Sequence, residues 1–226
     1  MHIEPGIVDG AKIALSYATA AAAATYSAKL IWQELKAQGP ISLLVRSAIA
    51  TVGVFVFFEL LPHFSVGVSE VHMILGTTLL LILGAAPAAI GLAGGLLVQG
   101  LFFAPTDLPQ YAMNLTTLLV PLLGIQYMAQ RLIAPNTAYV DLTYAQALKL
   151  STAYQGGIVA WVAFWAIYGN GFGAENLASV GTFGLAYMAV ILIEPLADLA
   201  VLATAKALNR GPGSPWVAQR LYHPAS

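Results

Sequence analysis

Cysteine is absent from the 226 residues, which excludes disulfides, thiolate metal sites and a cysteine nucleophile. Charge is scarce as well. Asp, Glu, Lys and Arg make up 8% of the chain, against roughly 25% in soluble domains. Nine basic and ten acidic residues leave a formal net charge of −1, without the basic excess that a nucleic-acid partner requires. There is no Gly-x-x-x-x-Gly-Lys-Ser/Thr loop to cradle ATP phosphates. A His-Glu-x-x-His helix and a motif-supported Ser–His pair are also missing, which disfavours an intramembrane hydrolase. The opening residues lack the basic and apolar regions of a cleaved leader, so Met1 is read as the mature end.

What the chain has is apolar surface. Hydrophobic residues make up 59% of it and the mean hydropathy is +0.78, values of a polytopic, all-α membrane protein. A spanning helix needs about 20 mainly apolar residues, and the length accommodates about seven. The expected spans are 11–35, 41–61, 71–83, 88–103, 113–133, 144–168 and 181–208. The third is too short to cross ~30 Å unaided and is expected to be a broken helix, preceded by a loop or re-entrant stretch over 64–70. Proline interrupts the fifth (Pro121) and lies inside the last (Pro195). Residues 1–210 then form one transmembrane domain and 211–226 a cytoplasmic C-terminal tail.

Eight of the nine basic residues fall at or near one set of span ends if the N-terminus is outside: Lys29, Lys36, Arg46, Arg131, Lys149, Lys206, Arg210 and Arg220. Only Lys12 lies on the other face. That bias predicts a plasma (inner) membrane protein with its N-terminus outside and its C-terminus cytoplasmic. The outer loops carry Glu70, Asp107 and Glu175 without Lys or Arg, so that face attracts cations.

The chemistry concentrates at the N-terminus. In Met1-His2 the terminal amine, the His2 amide nitrogen and the His2 Nδ1 can close two fused chelate rings on one late divalent metal ion. The fourth position needs another donor, most commonly an imidazole. His72 is the candidate, within a group formed by Glu59, His63, Glu70 and His72. Glu70 or Glu59 could accept the second ring N–H of His72 and orient it. His63, beside Pro62 at the membrane surface, reads as a solvated histidine before a ligand. Gln99 and Asn114 are amides in apolar spans, suited to bonding the arm or a ligand histidine, or to interhelical bonding. Glu194 and Asp198 lie one helical turn apart and suit a proton relay, a two-carboxylate site or a contact with a partner. Trp161 and Trp165 read as interfacial anchors. Ala14, Ala18 and Ala22 give the first helix a face of small residues for close packing, within the fold or against another subunit.

These residues resemble the CbiM/NikM family, the nickel/cobalt capture components of energy-coupling-factor transporters. The resemblance rests on Met1-His2-Ile3 with Glu4 and Gly6, on Gly67-Val-Ser-Glu-Val-His72, on Leu97-Val-Gln99, and on Ala112-Met-Asn114 with Pro121. It implies a seven-helix bundle with the N-terminal arm folded into it. It also implies Co²⁺ or Ni²⁺ as transported substrate, held by Met1, His2 and His72, and no organic cofactor. The partners implied are a transmembrane coupling subunit, cytoplasmic ATPase subunits and often a small accessory membrane subunit. The chain departs from the family in Ser69-Glu70-Val71 before His72, Met73-Ile74-Leu75 after it, and Val120 before Pro121. A planar nitrogen set with a deprotonated amide favours Ni²⁺ by intrinsic order. The rival readings are a self-sufficient proton-coupled carrier relaying through Glu59, Glu194 and Asp198, and a membrane assembly subunit that binds no metal.

Overall fold

The computed structural model describes residues 2–135 and 137–207. Met1, at one end of the expected chelate, lies outside them, as do the tail 211–226 and its His223. The elements in chain order are α1 (Ala14–Phe55), a hairpin of β1 (Phe64–Val66) and β2 (Ser69–Val71), α2 (Gly76–Leu83), α3 (Ala85–Phe102), α4 (Tyr111–Leu132), α5 (Tyr144–Asn170) and α6 (Ala174–Ala207). Short 3₁₀ turns precede α1, α4 and α5, and a π turn over Val56–Leu60 ends α1.

α1 is two helices in space. At Gly39 the backbone takes φ 78° and ψ 168°, a conformation open mainly to glycine, and Pro40 next to it offers no N–H. Across this break the Arg46 guanidinium bonds the Glu34 carboxylate. Twelve positions on a straight helix would hold them about 18 Å apart, so the chain bends back into arms 14–38 and 40–55. Arg46 is fully buried and also donates to Leu83 O at 2.6 Å, tying the bend to the end of α2.

Among the described residues, five helical stretches are long and apolar enough to cross a membrane: Gly10–Leu60, Ala85–Phe102, Pro105–Leu132, Tyr144–Asn170 and Ala174–Lys206. The first contains the bend and supplies both expected N-terminal spans. The expected span 71–83 is not a span. Val71 ends β2, residues 72–75 form a loop, Leu75 is left-handed (φ 52°), and α2 has eight residues, about 12 Å of helix. Its apolar run reflects burial by protein on most sides, since Leu79, Leu80, Leu81 and Leu83 are all core residues. The stretch 64–70, expected to be a loop or re-entrant segment, is mostly the antiparallel hairpin, paired Phe64↔Val71 and Val66↔Ser69.

α3 lies along the second arm of α1 at a distance only glycine permits. A Cβ on Gly91 would fall 2.3 Å from that of Ala50, and one on Gly95 would fall 2.5 Å from Val54 Cγ1, the small-residue packing of membrane helices. Pro121 sits inside an unbroken α4 rather than interrupting it. Trp165 is fully buried, in edge-on and tilted contact with Trp161, Phe164 and Tyr168, so it is a core residue and not an interfacial anchor. Trp161 is half-buried and donates to Thr116 Oγ1 at 3.2 Å. Trp161 thus belongs to the α4–α5 contact, and Trp165 has aromatic neighbours in place of headgroups.

Candidate metal site

The arm reaches the bundle interior as a strand. Ile3 bridges to Ser69 antiparallel, Glu4 N–H donates to Val68 O at 3.1 Å, and Glu70 N–H donates to His2 O at 3.0 Å. The Ser69 hydroxyl adds a 2.8 Å bond to the same His2 carbonyl. On the opposite edge Ile3 N–H donates to Asn114 Oδ1 at 2.8 Å. With its amide oriented to match donors to acceptors, Gln110 donates to Ile3 O at 2.6 Å and accepts from Gly6 N–H at 3.2 Å. These bonds satisfy the inserted backbone, which is the condition for non-helical chain to lie among apolar helices. Ile3 (0% exposed) and Val8 (2%) anchor it in the core.

This pairing carries His2 to His72. Both rings are buried, 3% and 2% exposed, with centroids 6.0 Å apart and planes at 62°. Phe58 lies against both, its ring centroid 4.5 Å from that of His72 and 6.3 Å from that of His2. His72 Nδ1 lies 3.1 Å from Met73 O. A carbonyl only accepts, so Nδ1 carries the proton and Nε2 keeps a lone pair. Among the described residues neither His72 Nε2 nor His2 Nε2 has a hydrogen-bond partner. Two imidazoles so buried, each with an idle nitrogen, have an unmet demand for a ligand.

The chain is matched by the family model CbiM, cobalt uptake substrate-specific transmembrane region, over residues 2–210. It belongs to the CbiM family. No curated protein and no solved structure matches it. Family membership together with the apolar helices makes this CbiM chain a multi-pass membrane component of cobalt uptake, not an enzyme.

Around the two histidines of this CbiM chain, the carboxylates differ from expectation. Glu70 turns to His2 and not to His72: its Oε2 is 3.0 Å from His2 Nδ1. Asp107, absent from the expected site residues, places its Oδ2 2.9 Å from the same nitrogen. Burial pushes the Glu70 carboxyl up, but its bond to His2 and the His2 charge outweigh that, and its pKa falls below the ordinary 4.5. His63, half-exposed at the rim, lies 4.0 Å from Glu70 Oε1 and outside the His2–His72 pair. A small recess beside His2 is lined by Asp107, Tyr111 and Asn114.

Other expected supports are placed elsewhere. Gln99 bonds Phe58 O (3.4 Å) and Glu59 Oε2 (3.3 Å), so it fastens the end of the second span to α3 and, among the described residues, bonds neither the arm nor a histidine. Glu59 is taken by that amide and does not orient His72. Asn114 does hold the arm. Glu194 and Asp198, 0% and 2% exposed, face different partners. Glu194 Oε2 accepts from Ile74 N–H at 3.0 Å and its Oε1 from Leu75 N–H, whereas Asp198 accepts from the Thr78 hydroxyl. Ser69, in a short strand, and Asp107 and Gln110, in the 3₁₀ turn before α4, were not among the expected site residues, because polar residues are ordinary in such segments. The Asp107-Leu-Pro109-Gln110 run before α4 gave no distinguishing signal.

Among the described residues no group of three or more His, Cys, Asp or Glu side chains could hold a metal ion. Side chains alone do not complete a site here.

Proposed function

We propose that this chain is the substrate-capture subunit of an ATP-driven importer for divalent cobalt or nickel. In this reading the ion is held by the Met1 amine, the His2 amide nitrogen and Nδ1, and His72 Nε2. The observation that carries it is the buried His2 ring brought within 6.0 Å of the His72 ring, whose Nε2 is idle, by a paired N-terminal strand in a cobalt-uptake family. With metal–nitrogen bonds of about 2.0–2.1 Å, two imidazole ligands have ring centres roughly 4.5 Å apart in cis and roughly 6.5 Å in trans. The observed separation lies within that range. The chelate needs His2 and His72 in cis and Nδ1 turned away from Glu70 and Asp107. Capture therefore involves a half-turn of the His2 ring and a closing of about 1.5 Å between the rings.

The partners in this reading are a transmembrane coupling subunit, cytoplasmic ATPase subunits and a small accessory membrane subunit. The missing phosphate loop supports separate ATPases. The basic span ends support an outer N-terminus, where an importer meets its ion. Inserting one alanine between Met1 and His2 keeps every side chain but breaks the fused rings. Ni²⁺ and Co²⁺ binding by this variant, measured beside His72→Ala, is the test. Both should lose binding, and full affinity in the insertion variant would remove the chelate.

A further inference from the structure

The loop from His72 to α2 is held by a residue more than a hundred positions away. α2 begins without a side-chain cap of its own, inside the bundle, where free N–H groups are costly. Glu194 of α6 supplies the acceptor, with one oxygen for Ile74 N–H and the other for Leu75 N–H. The Ile74 N–H and the Met73 C=O belong to one peptide unit. Because that unit is planar and trans, fixing its N–H fixes the opposite direction of its carbonyl. Met73 O is the atom that faces His72 Nδ1 at 3.1 Å.

We infer that Glu194 is a positioning residue for metal capture: its carboxyl group, acting through the Met73–Ile74 peptide plane, keeps the proton of His72 on Nδ1 and presents Nε2 to the ion. This is the role a carboxylate plays directly behind many metal-binding histidines, with a peptide plane interposed. The role rests on reading His72 as a ligand. It gives the buried Glu194 a task other than proton transfer and separates it from Asp198, whose partner Thr78 lies within α2.

The decisive variant is Glu194→Gln. One of its two acceptors becomes an amide donor facing a backbone N–H, which releases the peptide plane. Asp198→Asn, one turn along the same helix, is the control for a merely structural effect, and Glu194→Asp keeps both oxygens at shorter reach. Two measurements on the full chain in detergent read the result. The first is the ¹⁵N spectrum of His72 without metal, which reports the tautomer. The second is Ni²⁺ affinity together with the visible absorption band of the bound ion.

Glu194→Gln should convert a single Nδ1–H tautomer into a mixture, weaken Ni²⁺ about 10- to 100-fold, and shift the band toward that of His72→Ala. Glu194→Asp should fall in between and Asp198→Asn should match the parent. An unchanged tautomer in Glu194→Gln, or equal losses in Glu194→Gln and Asp198→Asn, overturns the relay. If Glu194→Gln does not fold, the tautomer and affinity of Glu194→Asp decide, and parental values there overturn it. A tautomer shift in Glu194→Gln, with a parent chain that binds no metal, would leave the relay standing and sink the capture reading instead.

Discussion

Asn114 is the side chain on which arm insertion is most directly tested. Its Oδ1 takes the Ile3 N–H at 2.8 Å with Asn114 1% exposed and Ile3 fully buried, so no solvent can replace it. Truncation to alanine leaves that N–H unpaired in the interior, at a cost of about 1–3 kcal/mol. At 1.4 kcal/mol per tenfold, the docked arm should open roughly 5- to 150-fold more often. The Ile3 amide is a poor reporter, because the substitution removes its own bond. Glu4 and Glu70 are better: their N–H groups bond Val68 O and His2 O, which Asn114 does not touch. Hydrogen exchange at both amides should speed up by the same factor in Asn114→Ala, while amides in the middle of α3 keep their rates. Because the arm carries His2, Ni²⁺ and Co²⁺ affinity should fall in step. Unchanged protection at Glu4 and Glu70 would refute the claim that this bond holds the arm in the bundle.

Other perturbations probe the same assembly. A Cβ on Gly169 would lie 1.8 Å from Ile7 O, a backbone atom that cannot swing aside, so Gly169→Ala should expel the arm and weaken metal binding at least tenfold, with little change in the melting temperature of the helices. Glu70 titrates below its ordinary 4.5 in the folded chain. Its contribution to stability is therefore complete above the unfolded value and is lost as the pH falls through the lower folded one. The melting temperature should drop below about pH 4.5, and Glu70→Gln should flatten that limb. Asp107→Asn removes one of two carboxylates drawn to His2 Nδ1 and should raise metal affinity severalfold if that nitrogen has to leave them to chelate; lower affinity would place Asp107 among the groups that hold the ion. Purified chain in liposomes should not move Co²⁺ under a pH gradient alone, and uptake there would favour a proton-coupled carrier.

The amino-acid sequence made the membrane character and the helical class legible, and it singled out His2 and His72, which the fold brings side by side. Each of these depends on quantities local in the chain: apolar runs long enough to span, and a histidine at the second position and another beside an apolar run. The span count failed at 71–83 because hydropathy registers burial without saying whether lipid or protein does the burying, and α2 is sheathed by other helices. Trp165 was misplaced for the same reason.

Pairings were beyond the sequence's reach. That Glu70 and Asp107 converge on His2, that Gln99 bonds Phe58 and Glu59, and that Glu194 holds the loop after His72 depend on which chain segments meet across 40 to 120 residues. A carboxylate has the same letters whether it faces water, a ring nitrogen or a peptide N–H. Only the folded backbone, which decides where the strand 2–4 is paired and how far α6 lies from α2, assigns each polar group its partner.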